Sequence, residues 1–510
     1  MKLHFFLLLP LLLHFSALCT QNEVIWARSY GTESPEELGA MIASADGNVI
    51  LVGNRDVSEE DTELIIKKID PQGQEIWEKS KYLPEASLYI NDIILSQDGE
   101  SYLIIGSYRP RITSPTGGNI GKNDYYVMKI DALGNEIWSK TYGGTQHDHG
   151  YAIVETSDGY ILAGTSSSSD GDVVDHIGFN DYWLVWINEN GTIETTKSYG
   201  GMDSDQLSSM IKTGDDNLIL SGHSHSFINQ GHEADFWIIK ADLNGEIIWD
   251  YSYGGSELEF SPQVIEIEAG NIIIAGQSRS NDFDVPGDNH GDTDFLAIRL
   301  DTEGSIVWSK SYGGSGWDRI YAIEEGNNND FYLGGFTRSN DGNVANNHNG
   351  GTNDYWITHI DRTNGTLLWQ DNFGGTGGDI LKKIVSTANE LYIGGYSFSN
   401  DIDIDEDNNG SSDYWLLKIG EISTNVASAS VNENRIAVYP NPSRNKLILT
   451  ESKRNGNFQI VDTEGKIINT GEISENRIDI STLPSGTYYL IVEDASLLQS
   501  QNQIIEFVKI

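Results

Sequence analysis

The stretch NEIWSKTYGG (135–144), DHGYAIVETSDG (148–159), YILAGTS (160–166) and NDYWLVWIN (180–188) decides the fold. Its four apolar pieces are short, rich in β-branched and aromatic residues, and bounded by Gly, Asp, Asn or Ser. Such pieces form strands joined by turns. The unit recurs along most of the chain. A Trp opens one strand at Trp26, Trp77, Trp138, Trp249, Trp308 and Trp369, with Thr195 in the equivalent place, so copies lie 51 to 61 residues apart. A Gly closes a second strand at Gly53, Gly106, Gly164, Gly222, Gly276, Gly335 and Gly395. A third strand begins with an acid, usually followed by an aromatic pair, at Asp124, Asp181, Asp235, Asp354 and Asp413, with weaker copies at Glu63 and Asp294. Every anchor counts to seven.

Four strands in such a period make a β-propeller blade. The spacing therefore predicts an all-β chain with a seven-bladed propeller over residues 21–420. The first Trp strand, Val24 to Tyr30, has no preceding partners, and the last copy stops after Asp413 to Ile419 with no Trp strand of its own. The first strand is thus expected to complete the seventh blade, closing the ring and protecting edges that an open sheet leaves unpaired. Near-continuous apolar runs such as Ile272-Ile273-Ile274-Ala275 fit blades buried on both faces. An open solenoid is the rival topology.

Residues 1–20 have a charged start at Lys2 and an apolar run from Leu7 to Leu13, the pattern of a secretory signal peptide. Ser16-Ala17-Leu18-Cys19 resembles a lipobox, with a large Leu18 where a small residue is wanted. If Cys19 leaves with the signal, no disulfide supports the fold, which must rest on its core. No later stretch is long and apolar enough for a transmembrane segment. The formal charge of −44 excludes nucleic acid and anionic membrane surfaces as partners, since both need a basic face.

Residues 421–435 are polar, small and aperiodic, and read as a linker. Residues 436–510 then show a different strand pattern, that of a small β-sandwich, with pieces at Lys446–Leu449, Phe458–Val461, Arg477–Ile480 and Tyr488–Val492. Val438-Tyr439-Pro440-Asn441-Pro442, Ile460-Val461-Asp462 with Gly465-Lys466, Ile480-Ser481-Thr482-Leu483-Pro484-Ser485-Gly486-Thr487-Tyr488-Tyr489 and the terminal Phe507-Val508-Lys509-Ile510 follow one another in this segment. The segment closely resembles the type A C-terminal sorting domain of type IX secretion cargo. The resemblance implies a Bacteroidota source and partnership of residues 436–510 with the type IX machinery. It also implies export via the periplasm across the outer membrane, with the cargo released or kept on the cell surface. It implies nothing about the activity of the propeller.

The loops before the third strand hold the candidate metal ligands. In Asp405-Glu406-Asp407-Asn408-Asn409-Gly410-Ser411-Ser412-Asp413, the oxygens of Asp405, Asp407, Asn409 and Asp413, with Gly at the sixth place, match the start of a calcium loop. The bidentate Glu expected at the twelfth place is absent, since Leu416 stands there. Asp282, Asp284 and Asp288 form a sparser set. Asp, Asn and Gly also build turns without any ion. A second acid recurs six residues beyond the Tyr or Phe of the Trp strand, at Glu36, Asp148, Asp205, Glu259, Asp318 and Asp379, with Leu88 in the remaining copy. We read it as a group accepting backbone N–H bonds in a tight connection, because an element present in nearly every blade serves the blade. His147 with His149 and His223 with His225 bring no third metal ligand in sequence, and the recurring Trp strand reads as core. Trp317 departs from the repeat and reads as packing against the adjacent blade, with a ligand platform as the alternative.

No phosphate loop, zinc helix or nucleophile elbow is present, so the sequence names no catalytic residue. The expected function is a non-catalytic binding or adhesion module for a glycan or protein. The alternatives are a secreted glycan hydrolase or lyase and a calcium-stiffened structural surface protein. Calcium in the 405–413 loop would raise the melting temperature reversibly; a midpoint unchanged between excess calcium and chelator removes it.

Overall fold

The chain is described from a computed structural model. It covers residues 24–420 apart from 59–60, 85, 111–121, 229–231, 269, 288, 327–329, 346, 348–351, 388–389, 405–407 and 409–410, and in the tail 438–439, 446–449, 457–461, 466–472, 477–484, 486–493 and 502–509. The leader, Cys19 and the linker lie outside the described residues. Two compact units divide the chain, 1–423 and 424–510.

The first unit is all β and contains seven four-stranded antiparallel sheets. The innermost strands are Glu36–Ala43, Ala86–Leu95, Asp148–Glu155, Asp205–Lys212, Glu259–Glu268, Asp318–Glu325 and Asp379–Ser386. Each lies beside the next and the last beside the first, so the blades form a closed ring. We number the blades in that order. Blade 7 takes its outer strand from the start of the chain: Val24–Tyr30 pairs antiparallel with Asp413–Gly420, Tyr30 opposite Tyr414 and Val24 opposite Ile419.

The apolar core is divided among the joints. One buried cluster lies between each neighbouring pair of blades, as where Leu184 of blade 3 meets Leu207 and Trp237 of blade 4, and where Tyr30 of blade 7 meets Leu38 and Leu51 of blade 1. The run Ile272-Ile273-Ile274-Ala275 is fully buried, since both faces of a central strand are covered. Trp183, Trp356 and Trp415 on the third strands are equally buried.

The recurring outer-strand Trp departs from the core reading. Trp26, Trp77, Trp138, Trp249 and Trp369 are only partly buried, because they ride on the edge of one blade and lie against a turn of the next. The indole N–H of Trp138 donates to the Glu189 carbonyl at 3.1 Å, and those of Trp26 and Trp308 to Pro71 and Arg362 at 3.1 Å. Where Thr195 replaces the Trp, Trp186 on the neighbouring strand supplies the bond, to the Leu243 carbonyl at 2.8 Å. The tyrosine at the end of the same strand repeats the device. Tyr30, Tyr142 and Tyr199 donate to the carbonyls of Gly73, Gly191 and Gly245 at 2.8, 2.8 and 2.7 Å. These turn glycines take φ of 77°, 71° and 79°, and a Cβ on Gly191 would stand 3.1 Å from the Trp138 ring. The turn thus needs glycine for both its backbone and its close approach.

In the second unit, Val438–Tyr439, Lys446–Leu449 and Arg477–Asp479 form one sheet. Ile467–Glu472, Asn457–Val461, Gly486–Glu493 and Asn502–Lys509 form another. Gly486 and Lys509, both in the sorting motif, are register partners at the end of the second sheet. Tyr439 lies in a short strand, while Pro440, Asn441, Pro442 and Gly465 fall outside the described residues. Among the described residues no helix is long and apolar enough to cross a membrane.

The Tyr142→Phe variant removes one joint bond and leaves the Gly191 carbonyl buried without that donor. It should lower unfolding stability by about 1 kcal/mol, read as a shift in urea midpoint at unchanged slope.

Candidate functional site

The recurring acids serve the blades. Asp148, Asp205, Glu259, Asp318 and Asp379 are fully buried at the start of their inner strands. Each accepts the backbone N–H of the second glycine in the preceding turn, at 2.7 to 2.9 Å, from Gly144, Gly201, Gly255, Gly314 and Gly375. Hydroxyls of the following strand complete the shell, as Ser168 does for Asp148 and Ser339 for Asp318, both at 2.8 Å. The acid of each third strand lies beside this carboxylate. A Cβ placed on Gly143 would stand 2.6 Å from both Asp124 Oδ1 and Asp148 Oδ2, so the paired carboxylates converge on a bare glycine. Burial, then the charges of Asp148 and Asp172, pushes Asp124 up to about 7. Asp294 is likewise pushed up to about 7 by burial and by Asp318 and Asp341.

The Asp-x-Asp loops wrap the same turns. Asp282 Oδ1 accepts the Ser256 N–H at 2.8 Å, and Asp284 Oδ2 accepts the Gly254 N–H at 3.4 Å. Asp170, Asp341 and Asp401 repeat the first of these bonds to Thr145, Ser315 and Thr376. The residue between the two loop acids takes a left-handed conformation, with φ of 68° at Gly171, 55° at Phe283 and 63° at Ile402, so that both flanking side chains turn onto one connection. Asp288, Asp405, Asp407 and Asn409 lie outside the described residues; Asp413 is fully buried at its strand start. Among the described residues no three His, Cys, Asp or Glu side chains converge on a metal position. His147 and His149 stack at 5.8 Å, and burial pushes His223 down to about 4, with His225 adding to the effect.

The positions that face the axis are different in kind. The residue after the recurring acid is in turn Glu37, Tyr89, His149, Gln206, Phe260, Arg319 and Ile380. Two further on, or one in the bulged strand of blade 5, come Gly39, Asn91, Tyr151, Ser208, Ser261, Tyr321 and Lys382. No residue type is kept around the ring at either level. All seven inner strands contribute to one cavity of about 480 Å³, a volume in the range of small-ligand sites. Tyr151 and Gln206 also line an adjoining cavity of about 370 Å³ that holds Arg109, His147 and His149.

The cavity collects charge and aromatic surface. Lys382 Nζ stands 4.1 Å from the centre of the Tyr321 ring and 5.9 Å from that of Tyr396. Burial lowers its pKa, Glu37 opposes that and Lys383 reinforces it. Burial raises Glu37 and Asp92. Lys383 approaches Asp92 at 3.9 Å across the ring. Trp317, at the end of the same inner strand, lies between the Arg319 and Arg338 guanidinium groups at 5.1 Å from each and bonds Asp292 through its indole N–H. It is therefore clamped by cations rather than packed on an apolar wall. A polar channel of this kind can hold a small hydroxylated ligand through amides and charges while tyrosine faces cover its C–H surface.

Residues 437–506 match the secretion system C-terminal sorting domain. With the ring above, this defines an exported β-propeller. Its tail is, in particular, the sorting domain of type IX secretion, which directs the protein to the cell surface or the medium. Over 171 residues, 32% of this chain, the sequence is 24% identical to the Regulatory protein FlaEY of Caulobacter vibrioides, of which it spans 18%. A Dyadobacter fermentans protein of unknown function superposes at TM-score 0.43 and 10% identity, over 78% of this chain and 98% of that one. The WD40 β-propeller domain of Doa1 does so at TM-score 0.42 and 10% identity, over 79% and 99%.

Asp294 binds a proton more tightly folded than unfolded, where its pKa is near 3.8, so stability falls as pH rises from about 4 through about 7. Asp294→Asn should raise stability by roughly 1–3 kcal/mol at pH 8 and have little effect at pH 4, measured by denaturation at both pH values.

Proposed function

We propose that this protein is a non-catalytic glycan-binding propeller, exported by the type IX route, whose ligand enters the axial channel. The observation that carries the reading is the contrast between repeated and unrepeated positions. Acids, glycines and tyrosines that recur in most blades are all engaged in holding blades together. The residues facing the axis follow no such repeat, and together they form a polar, tyrosine-lined cavity. A purely structural ring places no such demand on its inner surface.

A second reading, a glycan hydrolase, draws on Glu37 and Asp92, two carboxyl groups with raised pKa in one channel. A general acid needs a raised pKa, and a second carboxylate must face it.

Purified chain applied to a panel of immobilised oligosaccharides should be retained on one class and leave the sugar unshortened. Tyr89→Ala and Gln206→Ala should each weaken retention about fivefold or more, which is about 1 kcal/mol. Shortening of the retained glycan that disappears in Glu37→Gln would replace the binding reading with the enzymatic one. Silence across the panel would remove both.

A further inference from the structure

We propose that the channel takes a glycan end bearing a single carboxylate, a uronic acid residue, with Lys382 as its charge partner. The inference rests on the binding reading above and names the ligand class of that site.

The first argument is a shielded lysine without an ion pair. Elsewhere in the propeller, shielded lysines are matched: Lys68, Lys129, Lys240 and Lys418 hold a carboxylate at 2.7, 2.9, 3.0 and 2.7 Å. With 76 acids against 32 Lys and Arg, such partners are plentiful. Lys382 nevertheless makes no ion pair and no hydrogen bond among the described residues. Its ammonium rests on the Tyr321 face and opens to the cavity. Glu37, the acid that acts on it through charge, is held above the ordinary carboxylate range by burial, and Asp92 faces Lys383. A desolvated cation without a hydrogen-bonded anion is costly, and a carboxylate supplies the missing acceptor.

The walls select what carries that carboxylate. Tyr89 exposes 43% of its surface to the channel, and Asn91, Gln206 and Gln263 present amide groups around it. A sugar ring has a C–H face for the tyrosine and a rim of hydroxyls for the amides. The chain's charge of −44 sets the number of carboxylates. A polyanion would meet repulsion along its whole length outside the channel, whereas a single terminal acid limits that repulsion to one group and brings it to Lys382.

The test is calorimetric titration of the full chain with glucuronate-, galacturonate- and mannuronate-terminated disaccharides, each paired with its carboxyl-reduced neutral twin. At least one acid should bind about tenfold more tightly than its twin. Lys382→Met should bring that ratio to about two or less, and Lys382→Arg should keep most of it. The melting temperature of each variant checks that it is folded, and Lys382→Gln serves where Lys382→Met does not fold. Equal affinity for acid and twin overturns the inference and leaves the glycan-binding reading standing. A preference unmoved when the Lys382 charge is removed overturns it, as does binding of a short peptide through its C-terminal carboxylate while no disaccharide binds. Absence of binding to every probe overturns it as well.

Discussion

At the end of most outer strands a tyrosine hydroxyl leaves its own sheet and donates to a glycine carbonyl in a turn of the next one. A hydrogen bond between two blades is satisfied at one separation and one rotation only, so each blade inherits its place from its neighbour. The adjacent indole seats on the same turn, and the turn glycine permits that closeness. Apolar clusters alone would hold the blades together without fixing their angle, because hydrophobic contact has no direction. The two joints that lack the tyrosine bond show how the constraint is otherwise met. At blades 1 and 2, Tyr82 turns to Asp61, and Lys81 bridges to Glu136 at 2.8 Å. At blades 6 and 7, where Phe373 has no hydroxyl, the joint keeps a second tyrosine bond that other joints have as well: Tyr355 donates to the Trp415 carbonyl at 3.0 Å, as Tyr125 does to Trp183 and Tyr182 to Trp237 at 2.9 Å.

Buried carboxylates at the inner ends of the blades complete this frame at some cost. Asp148 and its equivalents satisfy N–H groups of a glycine turn that no strand partner can reach, and this explains why an acid rather than an apolar residue sits at zero exposure. The second acid beside it, Asp124 or Asp294, is pushed up by burial first and by the charge of the first acid after that. The ring therefore carries acids that titrate near neutrality although they serve architecture rather than catalysis.

The architecture was legible because each joint repeats the same chemistry. Gly164 and its equivalents, the acid six residues after Tyr, and the D-x-x-G turns recur at fixed offsets, and a repeat is visible in a single sequence. The outer-strand Trp packs on the core clusters as a large apolar ring should, with Trp308 inside one, but the other copies stay partly exposed at the blade edge, where the N–H of Trp138 or Trp26 takes a carbonyl of the neighbouring blade. The channel was illegible for the opposite reason. Glu37, Tyr89, Arg319 and Lys382 look like ordinary outward-facing strand residues, and only closure of the ring turns them toward one another. Lys382-Lys383 and Trp317-Asp318-Arg319 did break the repeat, and a column-by-column comparison of the copies would have singled them out.

Blade 7 joins residues from the two extremes of the propeller, Val24 with Ile419. That pairing closes the longest loop in the domain, and loop closure must precede the contacts that reward it. Six blades can mature in the order of the chain, but the ring has no seventh joint until its first strand is captured by its last sheet. Folding thus ends where it began in sequence. Closing the ring takes a search between chain ends, and until it finishes the channel has walls but no complete circumference.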